Sequence, residues 1–114
     1  GATTLWECWE NTSFGSQNHH MYADVVNWMF RNVGGLQNGG VAYDKCCLKP
    51  YFFDDVCSAS AYTQTPRGII RFDWKKDHGQ FTADIILPEG TEAILTLPGQ
   101  IPMPVQTGHI KIKL

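Results

Sequence analysis

The chain lacks an excess of charge of either sign, and it lacks a long apolar run. Its 114 residues contain 9 lysines and arginines against 11 aspartates and glutamates, a formal net charge of −2. Without a basic stripe the sequence gives no sign of nucleic-acid binding, and without a run of like charges it has no charged tail. No stretch approaches the roughly 20 apolar residues of a membrane-spanning helix. We therefore expect neither nucleic-acid nor membrane partners.

The cysteines do not form a metal-binding pattern. The four are Cys8, Cys46, Cys47 and Cys57, and no Cys-x-x-Cys pair occurs among them. Neighbouring side chains in a strand point to opposite faces, so Cys46 and Cys47 are poorly placed to share one zinc ion. We expect free thiols in the core. A disulfide from Cys57 to Cys46 or Cys47 is the alternative.

A helix is predicted from about residue 18 to residue 33, after a segment, 1–17, that has no sustained periodicity and reads as an extended loop. Asn18 or Ser16 can cap this helix. Its apolar side chains fall on one stripe at helical spacing; they are Tyr22, Val25, Val26, Met29 and Val33. Gly34 and Gly35 end the helix in the left-handed manner typical of glycine. The length of the chain indicates one ordinary domain with a small appendage.

After Gly40 the period changes to two, which indicates β-structure. The predicted strands are Val41 to Leu48, Ser58 to Gln64, Gly68 to Lys75, Gln80 to Leu87, Glu92 to Leu97 and His109 to Leu114. Turn residues separate them, and the pair joined by Asp77-His78-Gly79 is the clearest hairpin. Pro102 and Pro104 exclude a central strand before the last one. The prediction is a mainly β fold, an antiparallel β-sandwich of Greek-key type preceded by one α-helix and an extended N-terminal segment.

The first twenty residues bring carboxylates, indoles and imidazoles close together in sequence. Glu7 lies between Trp6 and Trp9, and His19 and His20 follow soon after. This combination is typical of sugar sites, because an aromatic face stacks on the C–H face of a pyranose while a carboxylate accepts hydroxyl protons or activates water. A metal site from Cys8 and the two histidines is disfavoured, because adjacent helical side chains diverge by about 100°. We therefore predict no metal.

Two N-terminal motifs resemble one family. Gly1-Ala2-Thr3-Thr4-Leu5-Trp6-Glu7, then Ser16-Gln17-Asn18-His19-His20, and later Trp28-Met29-Phe30-Arg31-Asn32-Val33-Gly34-Gly35, are similar to the end of the catalytic domain of bacterial α-L-rhamnosidases, glycoside hydrolase family 78. Thr65-Pro66-Arg67-Gly68 and Phe72-Asp73-Trp74 are similar to the C-terminal β-sandwich of the same family. The resemblance covers nearly the whole chain.

The resemblance implies an inverting glycosidase in which Glu7 is the general base. It would deprotonate a water that attacks the anomeric carbon from the face opposite the leaving group. His19 would contact the bound sugar, and Trp6 and Trp9 would line the pocket. The substrate would be a rhamnose-containing glycoside with a terminal α-L-rhamnosyl linkage. No cofactor is expected, because two carboxyl groups carry the proton transfers.

The resemblance also divides the chain. Residues 1–35 are expected to be a remnant of the C-terminal end of an (α/α)6 catalytic barrel, and residues 36–114 the C-terminal β-sandwich domain. Such a barrel needs several hundred residues, and the family's general acid precedes these motifs. We therefore expect the chain to be a C-terminal fragment of a larger enzyme, and to be inactive by itself. The residues do not decide between the bacterial cytoplasm and the periplasm.

The sequence is also compatible with a different class of function. The chain could be a non-catalytic carbohydrate-binding or structural β-sandwich module that uses exposed Tyr51, Phe52, Phe53 or Trp74. Three consecutive aromatic residues cannot all point inward from one strand. In the first hypothesis they would cover the junction with the barrel.

The apolar residues of the helix also predict self-association. Segment 18–33 carries more apolar side chains than one small contact can cover, and exposed patches of that size are rare in monomers. We expect a homo-oligomer through this segment, with a twofold dimer as the default.

Overall fold

Two four-stranded sheets form most of the protein. The computed structural model describes Thr4, residues 6–8 and residues 15–114, with Met21 and Tyr22 described by their backbone alone. The strands are β1 Leu36–Asn38, β2 Lys45–Leu48, β3 Ser58–Thr65, β4 Gly68–Asp77, β5 Gln80–Leu87, β6 Glu92–Leu95, β7 Met103–Val105 and β8 Gly108–Lys113. One hydrophobic core contains side chains from both sheets. The predicted mainly β sandwich is confirmed.

One sheet has the order β3-β4-β5-β8, and all its pairs are antiparallel. In its longest strand, β4, alternate residues such as Ile70, Phe72 and Trp74 are buried, while Arg71 is exposed. This alternation is what a period of two dictates when one face of a sheet covers a core. The predicted β4–β5 hairpin is confirmed, with Asp77 paired to Gln80 beside its turn.

The other sheet has the order β1-β2-β6-β7 and includes one parallel pair, β2 with β6. Two of its strands were not predicted. Leu36–Asn38 pairs with β2, and Val41–Tyr43, predicted as the start of a strand, is a 3₁₀ turn. Met103–Val105 pairs only with β6, so Pro104 lies in an edge strand, where a missing N–H is tolerated.

The helix before the sandwich is a run of three short pieces. A 3₁₀ turn covers His20–Ala23, the α-helix α1 covers Asp24–Trp28, and a π-helical turn covers Met29–Val33. Among the described side chains none caps α1, but Ser16 Oγ accepts a hydrogen bond from the Asn18 N–H at 3.2 Å. Gly35 has the predicted left-handed conformation, with φ of 78°. In the described residues, no helix is long and apolar enough to cross a membrane.

Three residues of the predicted apolar stripe are not covered by the sandwich. Val25, Val26 and Met29 are exposed, and Trp28 is half-exposed. Phe30, by contrast, packs against the core. Among the described side chains of the helix, Phe30 near its C-terminal end therefore makes the contact with the core, while Val25, Val26 and Met29 stay exposed.

Hydrogen bonds fix that C-terminal end to the sandwich. The Trp74 indole N–H donates to the Val33 carbonyl at 3.0 Å. The backbone N–H of Tyr51 donates to the Asn32 carbonyl, and that of Lys49 to the Gly35 carbonyl, each at 2.7 Å. Carbonyls at a helix end have no partner within the helix, so these three bonds satisfy groups that would otherwise be costly to bury.

Trp74 is a core residue, with only 2% of its surface exposed. Its ring lies 5.2 Å from that of Phe52, which in turn lies 5.9 Å from Phe81. The Lys76 ammonium lies 5.3 Å above the Phe52 ring. The prediction that Trp74 could be an exposed sugar platform is therefore wrong, because its indole is occupied in holding the helix.

All four cysteines are free thiols, as predicted, but the prediction that they lie in the core is wrong for three of them. Only Cys46 lies in the core, whereas Cys8, Cys47 and Cys57 are exposed. The opposite orientations expected for Cys46 and Cys47 are confirmed by their burial in β2. Burial, followed by the proximity of Cys47, raises the pKa of the Cys46 thiol to about 11.

We predict that Gly35→Ala destabilises the fold. A Cβ at Gly35 would lie 2.6 Å from the Pro50 backbone nitrogen, and the φ of 78° is already unfavourable for alanine. The control is Gly79→Ala, with φ of 82° and nothing within 4 Å of the new Cβ. Both variants pay the cost of a positive φ. Gly35→Ala should therefore lower the free energy of unfolding in urea by about 1–3 kcal/mol more than Gly79→Ala, because only its Cβ overpacks the structure. Equal losses would contradict the close contact.

We predict that Cys46 resists alkylation in the folded protein. At about pH 8.5, where an ordinary thiol is half ionised, iodoacetamide should modify the three exposed cysteines and reach Cys46 only after unfolding. Between pH 9.0 and about 11, the Cys46 thiol of the folded state keeps a proton that the unfolded chain loses. The free energy of unfolding should therefore fall as pH rises from 9.0 toward about 11, and Cys46→Ala should reduce that fall. Peptide mass spectrometry showing equal labelling of all four would contradict the burial.

Candidate active site around Glu7

Glu7 and Ser16 are joined by a reciprocal pair of hydrogen bonds. The Glu7 backbone N–H donates to the Ser16 carbonyl at 2.9 Å. In return, the Ser16 backbone N–H donates to Glu7 Oε2 at 2.8 Å. The Thr4 hydroxyl also donates to the Gln17 carbonyl, so the two described segments contact each other at more than one point. A charge-assisted bond from a backbone N–H fixes the carboxylate without a second side chain.

Gly15 permits this approach. Its φ is 106°, a conformation that residues with a Cβ rarely adopt. A Cβ there would lie 3.3 Å from Cys8 Sγ and 3.5 Å from Glu7 Oε2. Glycine therefore provides both the turn and the space that bring the Ser16 amide to the carboxylate.

His19 lies on the same side of Glu7. Its Nδ1 is 3.7 Å from Glu7 Oε2, which is too long for a hydrogen bond and close enough for electrostatic attraction when the imidazole is protonated. Both side chains are partly exposed, so a ligand can reach them. Ser16 Oγ accepts the Asn18 N–H, and the His20 N–H donates to the Asn18 carbonyl, so the turn that starts at Ser16 also positions His19.

The Ser16 amide and the His19 imidazole approach the same oxygen of the carboxylate. Both contacts, which lie within the described residues, are made to Oε2. A carboxylate held in this way has one oxygen fixed in orientation, and its other oxygen can accept a proton or a hydrogen bond from a hydroxyl group. Glu7 is exposed, so water has access to it.

Of the other site residues predicted from the sequence, the structure describes one and leaves one out. Trp6, next to Glu7, is half-buried, whereas Trp9 lies outside the described residues. Among the residues that the structure describes, no group of three or more histidine, cysteine or acidic side chains could hold a metal ion. Gly15 and Ser16 were not predicted as site residues, although Ser16 begins one of the two N-terminal motifs.

Comparison with known families assigns both parts of the chain. Residues 35–109 match the bacterial alpha-L-rhamnosidase C-terminal domain, and residues 1–33 match the bacterial alpha-L-rhamnosidase 6 hairpin glycosidase domain. The matched domains therefore define the class as glycoside hydrolase. The chain belongs to the bacterial α-L-rhamnosidase family, as its motifs predicted.

Individual relatives agree with this assignment. An alpha-L-rhamnosidase of Streptomyces avermitilis is 29% identical over 118 residues, covering 96% of this chain and 12% of its own length. One from Formosa agariphila is 27% identical over 107 residues, covering 86% and 12%. The chain thus corresponds to about an eighth of these relatives.

Solved structures have the same fold. The native rhamnosidase of Aspergillus terreus matches with a TM-score of 0.85 at 25% identity, covering 99% of this chain and 14% of that one. The Streptomyces avermitilis enzyme, solved in complex with L-rhamnose, matches with a TM-score of 0.76 at 24% identity, covering 98% and 13%.

We predict that Gly15→Ala breaks the contact between Ser16 and Glu7. Adopting a φ of 106° with a Cβ costs about 1–3 kcal/mol, so the loop should move rather than bear the strain. In a ¹H–¹⁵N correlation spectrum the Ser16 amide proton should shift upfield, as it should in Glu7→Ala. Gly108→Ala is the matched control, with φ of 113° and nothing within 4 Å of the new Cβ. An unmoved Ser16 signal in Gly15→Ala would contradict the role assigned to this glycine.

Proposed function

We propose that this chain supplies the general base and the C-terminal β-sandwich of an inverting α-L-rhamnosidase. The observation that carries the proposal is the asymmetric environment of Glu7, whose Oε2 is approached by the Ser16 amide and by His19. Membership of the rhamnosidase family supports the substrate class, a terminal α-L-rhamnosyl glycoside.

In this proposal the other carboxylate oxygen, Oε1, accepts a proton from water. The amide on Oε2 fixes the plane of the carboxylate, so the lone pairs of Oε1 have a defined direction. The resulting nucleophile attacks the anomeric carbon opposite the aglycone, and the configuration inverts. An inverting site needs its two carboxyl groups about 6.5–9.5 Å apart, so that a water fits between Glu7 and the sugar.

His19 is proposed to bind the sugar. With Nδ1 facing the carboxylate, a neutral imidazole carries its proton on that nitrogen, so Nε2 would accept a hydrogen bond from a sugar hydroxyl. Trp6 and Trp9 are proposed to line the pocket, where an indole covers the apolar face of the ring and excludes water. The reaction needs no cofactor, because the proton transfers are made by carboxyl groups.

The general acid is proposed to come from outside this chain. We assign residues 1–35 to the end of the catalytic barrel and residues 36–114 to the sandwich, a division that the boundaries of the two family matches support. One carboxylate cannot both protonate the leaving group and activate water in the same step. The isolated chain should therefore be inactive.

Self-association through helix 18–33 stays a prediction. The outward orientation of Val25, Val26, Trp28 and Met29 supports it for the isolated chain. In a longer rhamnosidase, neighbouring helices of the barrel would cover the same side chains, so the oligomer is expected only where the barrel is missing.

We predict that Glu7→Gln lowers kcat in a protein that joins this chain to a rhamnosidase barrel. The expected loss on an aryl α-L-rhamnoside is about 10²–10⁴-fold, the usual contribution of a general base. Glu89→Gln is the control, since Glu89 is exposed in the turn after β5. His19→Ala should raise KM more than it lowers kcat.

The isolated chain and the product supply two further tests of the same proposal. The isolated chain should release no aryl group above the buffer rate, and turnover abolished by Glu7→Gln would refute an external acid. NMR should detect β-L-rhamnose as the first product of the joined protein, whereas initial release of the α-anomer would refute inversion.

A further inference from the structure

A second concave site lies at the junction between the helical segment and the sandwich. This junction cleft, of about 680 Å³, is lined by the end of the helix at Asn32, by Gln37 of β1, by the segment from Lys49 to Phe52, and by Thr96 after β6. Its volume is within the range of about 300–1,000 Å³ typical of small-molecule sites. It shares no residue with the site around Glu7.

Two amide side chains in the junction cleft are held in fixed orientations. Asn32 Nδ2 donates to the Trp28 carbonyl at 2.9 Å, and Gln37 Nε2 donates to the Arg31 carbonyl at 3.0 Å. With one N–H engaged, each amide is oriented, which leaves its oxygen as an acceptor and its second N–H as a donor. The cleft therefore offers neutral acceptors that need no reorganisation when a ligand binds.

Donors complete the polar lining. Lys49 is exposed and takes part in none of the ion pairs of the described residues, so its ammonium is available to a hydroxyl. The Thr96 hydroxyl can donate or accept, and its backbone N–H bonds to the Leu48 carbonyl at 2.9 Å, which fixes its position. Such a mixture of donors and acceptors matches a polyhydroxyl ligand better than an anion, for which Lys49 would be the only charged partner among these lining residues.

An aromatic wall, defined as Trp28, Tyr51 and Phe53, extends from the cleft over the neighbouring surface. The Tyr51 ring lies 4.7 Å from that of Phe53, and Phe53 lies 5.9 Å from Trp28. Tyr51 is 61% exposed, although its backbone N–H is fixed to the Asn32 carbonyl. An aromatic ring that is rigidly supported and exposed on one face can stack on the C–H face of a sugar at low entropic cost.

We propose that the junction cleft is a second carbohydrate-binding site, which takes a neutral glycosyl residue against Tyr51. The ring of the sugar stacks on Tyr51, and its hydroxyl groups bond to the Asn32 and Gln37 oxygens and to Lys49. The inference does not require Glu7 to be a catalytic base, because the two sites have no residue in common.

The test is a titration of the ¹⁵N-labelled chain with methyl α-L-rhamnoside and, separately, with methyl β-D-glucoside. We expect saturable shifts at the backbone amides of Gln37, Lys49 and Tyr51 with at least one of the two sugars. Tyr51→Ala and Gln37→Ala should each weaken that binding about tenfold, which corresponds to the loss of one stacking contact or one hydrogen bond.

Two control variants distinguish binding in the junction cleft from binding elsewhere on the chain. Tyr62→Ala removes an equally exposed tyrosine from the outer face of the other sheet and should leave the affinity unchanged. Glu89→Gln, in the turn after β5, should also leave it unchanged. Because the shifts are read at the amides of the junction cleft, a failure of the catalytic role proposed for Glu7 leaves this result standing. Thermal unfolding of each variant checks that the fold is retained.

Four results would overturn the proposal, the first three of them in the isolated chain. These are the absence of saturable shifts in the junction cleft with both sugars, binding that survives Tyr51→Ala and Gln37→Ala, and shifts confined to the residues around Glu7. A fourth is binding to the isolated chain that disappears when a catalytic barrel is attached. That outcome would identify the cleft as a contact surface for the barrel.

Discussion

The hydrogen bond from the Trp74 indole to the Val33 carbonyl is the contact on which the arrangement of the whole chain depends. It satisfies a carbonyl at the end of the helical segment with a donor from the centre of β4. The same indole packs against Phe52, so helix, sheet and connecting segment meet at one side chain. Because the helical segment begins near His19 and ends at this bond, its attachment also determines where the Glu7 site lies relative to the sandwich.

The glycines after the helix make that attachment possible. A Cβ at Gly34 would lie 2.8 Å from the Ala61 Cβ, and Gly35 is in close contact with Pro50. The chain therefore passes directly from the helix into β1, whose Leu36 is fully buried. Only Gly34 and Gly35 separate the helical segment from β1, so the connecting chain is too short to let the helix change its position much.

The sequence predicted the long elements and missed the short ones. In β4 and β5 the alternation runs through eight or ten residues, so a period of two is unmistakable. Strands β1 and β7 have three residues each, too few to show a period, and they exist because β2 and β6 provide hydrogen-bonding edges. The helix was predicted from its apolar stripe, but the pattern could not tell whether the sandwich or another surface covers Val25 and Met29.

For the candidate site, sequence motifs predicted the residues but not their geometry. Glu7 and His19 were singled out because their surroundings resemble a family, and the structure brings them within 4 Å. The partner of the carboxylate, the Ser16 amide, is a backbone group that every residue except proline possesses. No residue type could have marked it, and only the unusual conformation of Gly15 distinguishes the position.

The parallel pairing of β2 with β6 has a consequence for the order in which the protein folds. All of β3, β4 and β5 lies between these two strands in the sequence, whereas those three are joined by local turns. Contacts between residues close in sequence form at a smaller entropic cost than contacts that close a long loop. During synthesis the three-stranded meander can therefore form as soon as it leaves the ribosome. Leu36 and Leu48 have to wait for β6 and β7 before their sheet is complete, so for that interval the nascent chain exposes apolar side chains of the future core.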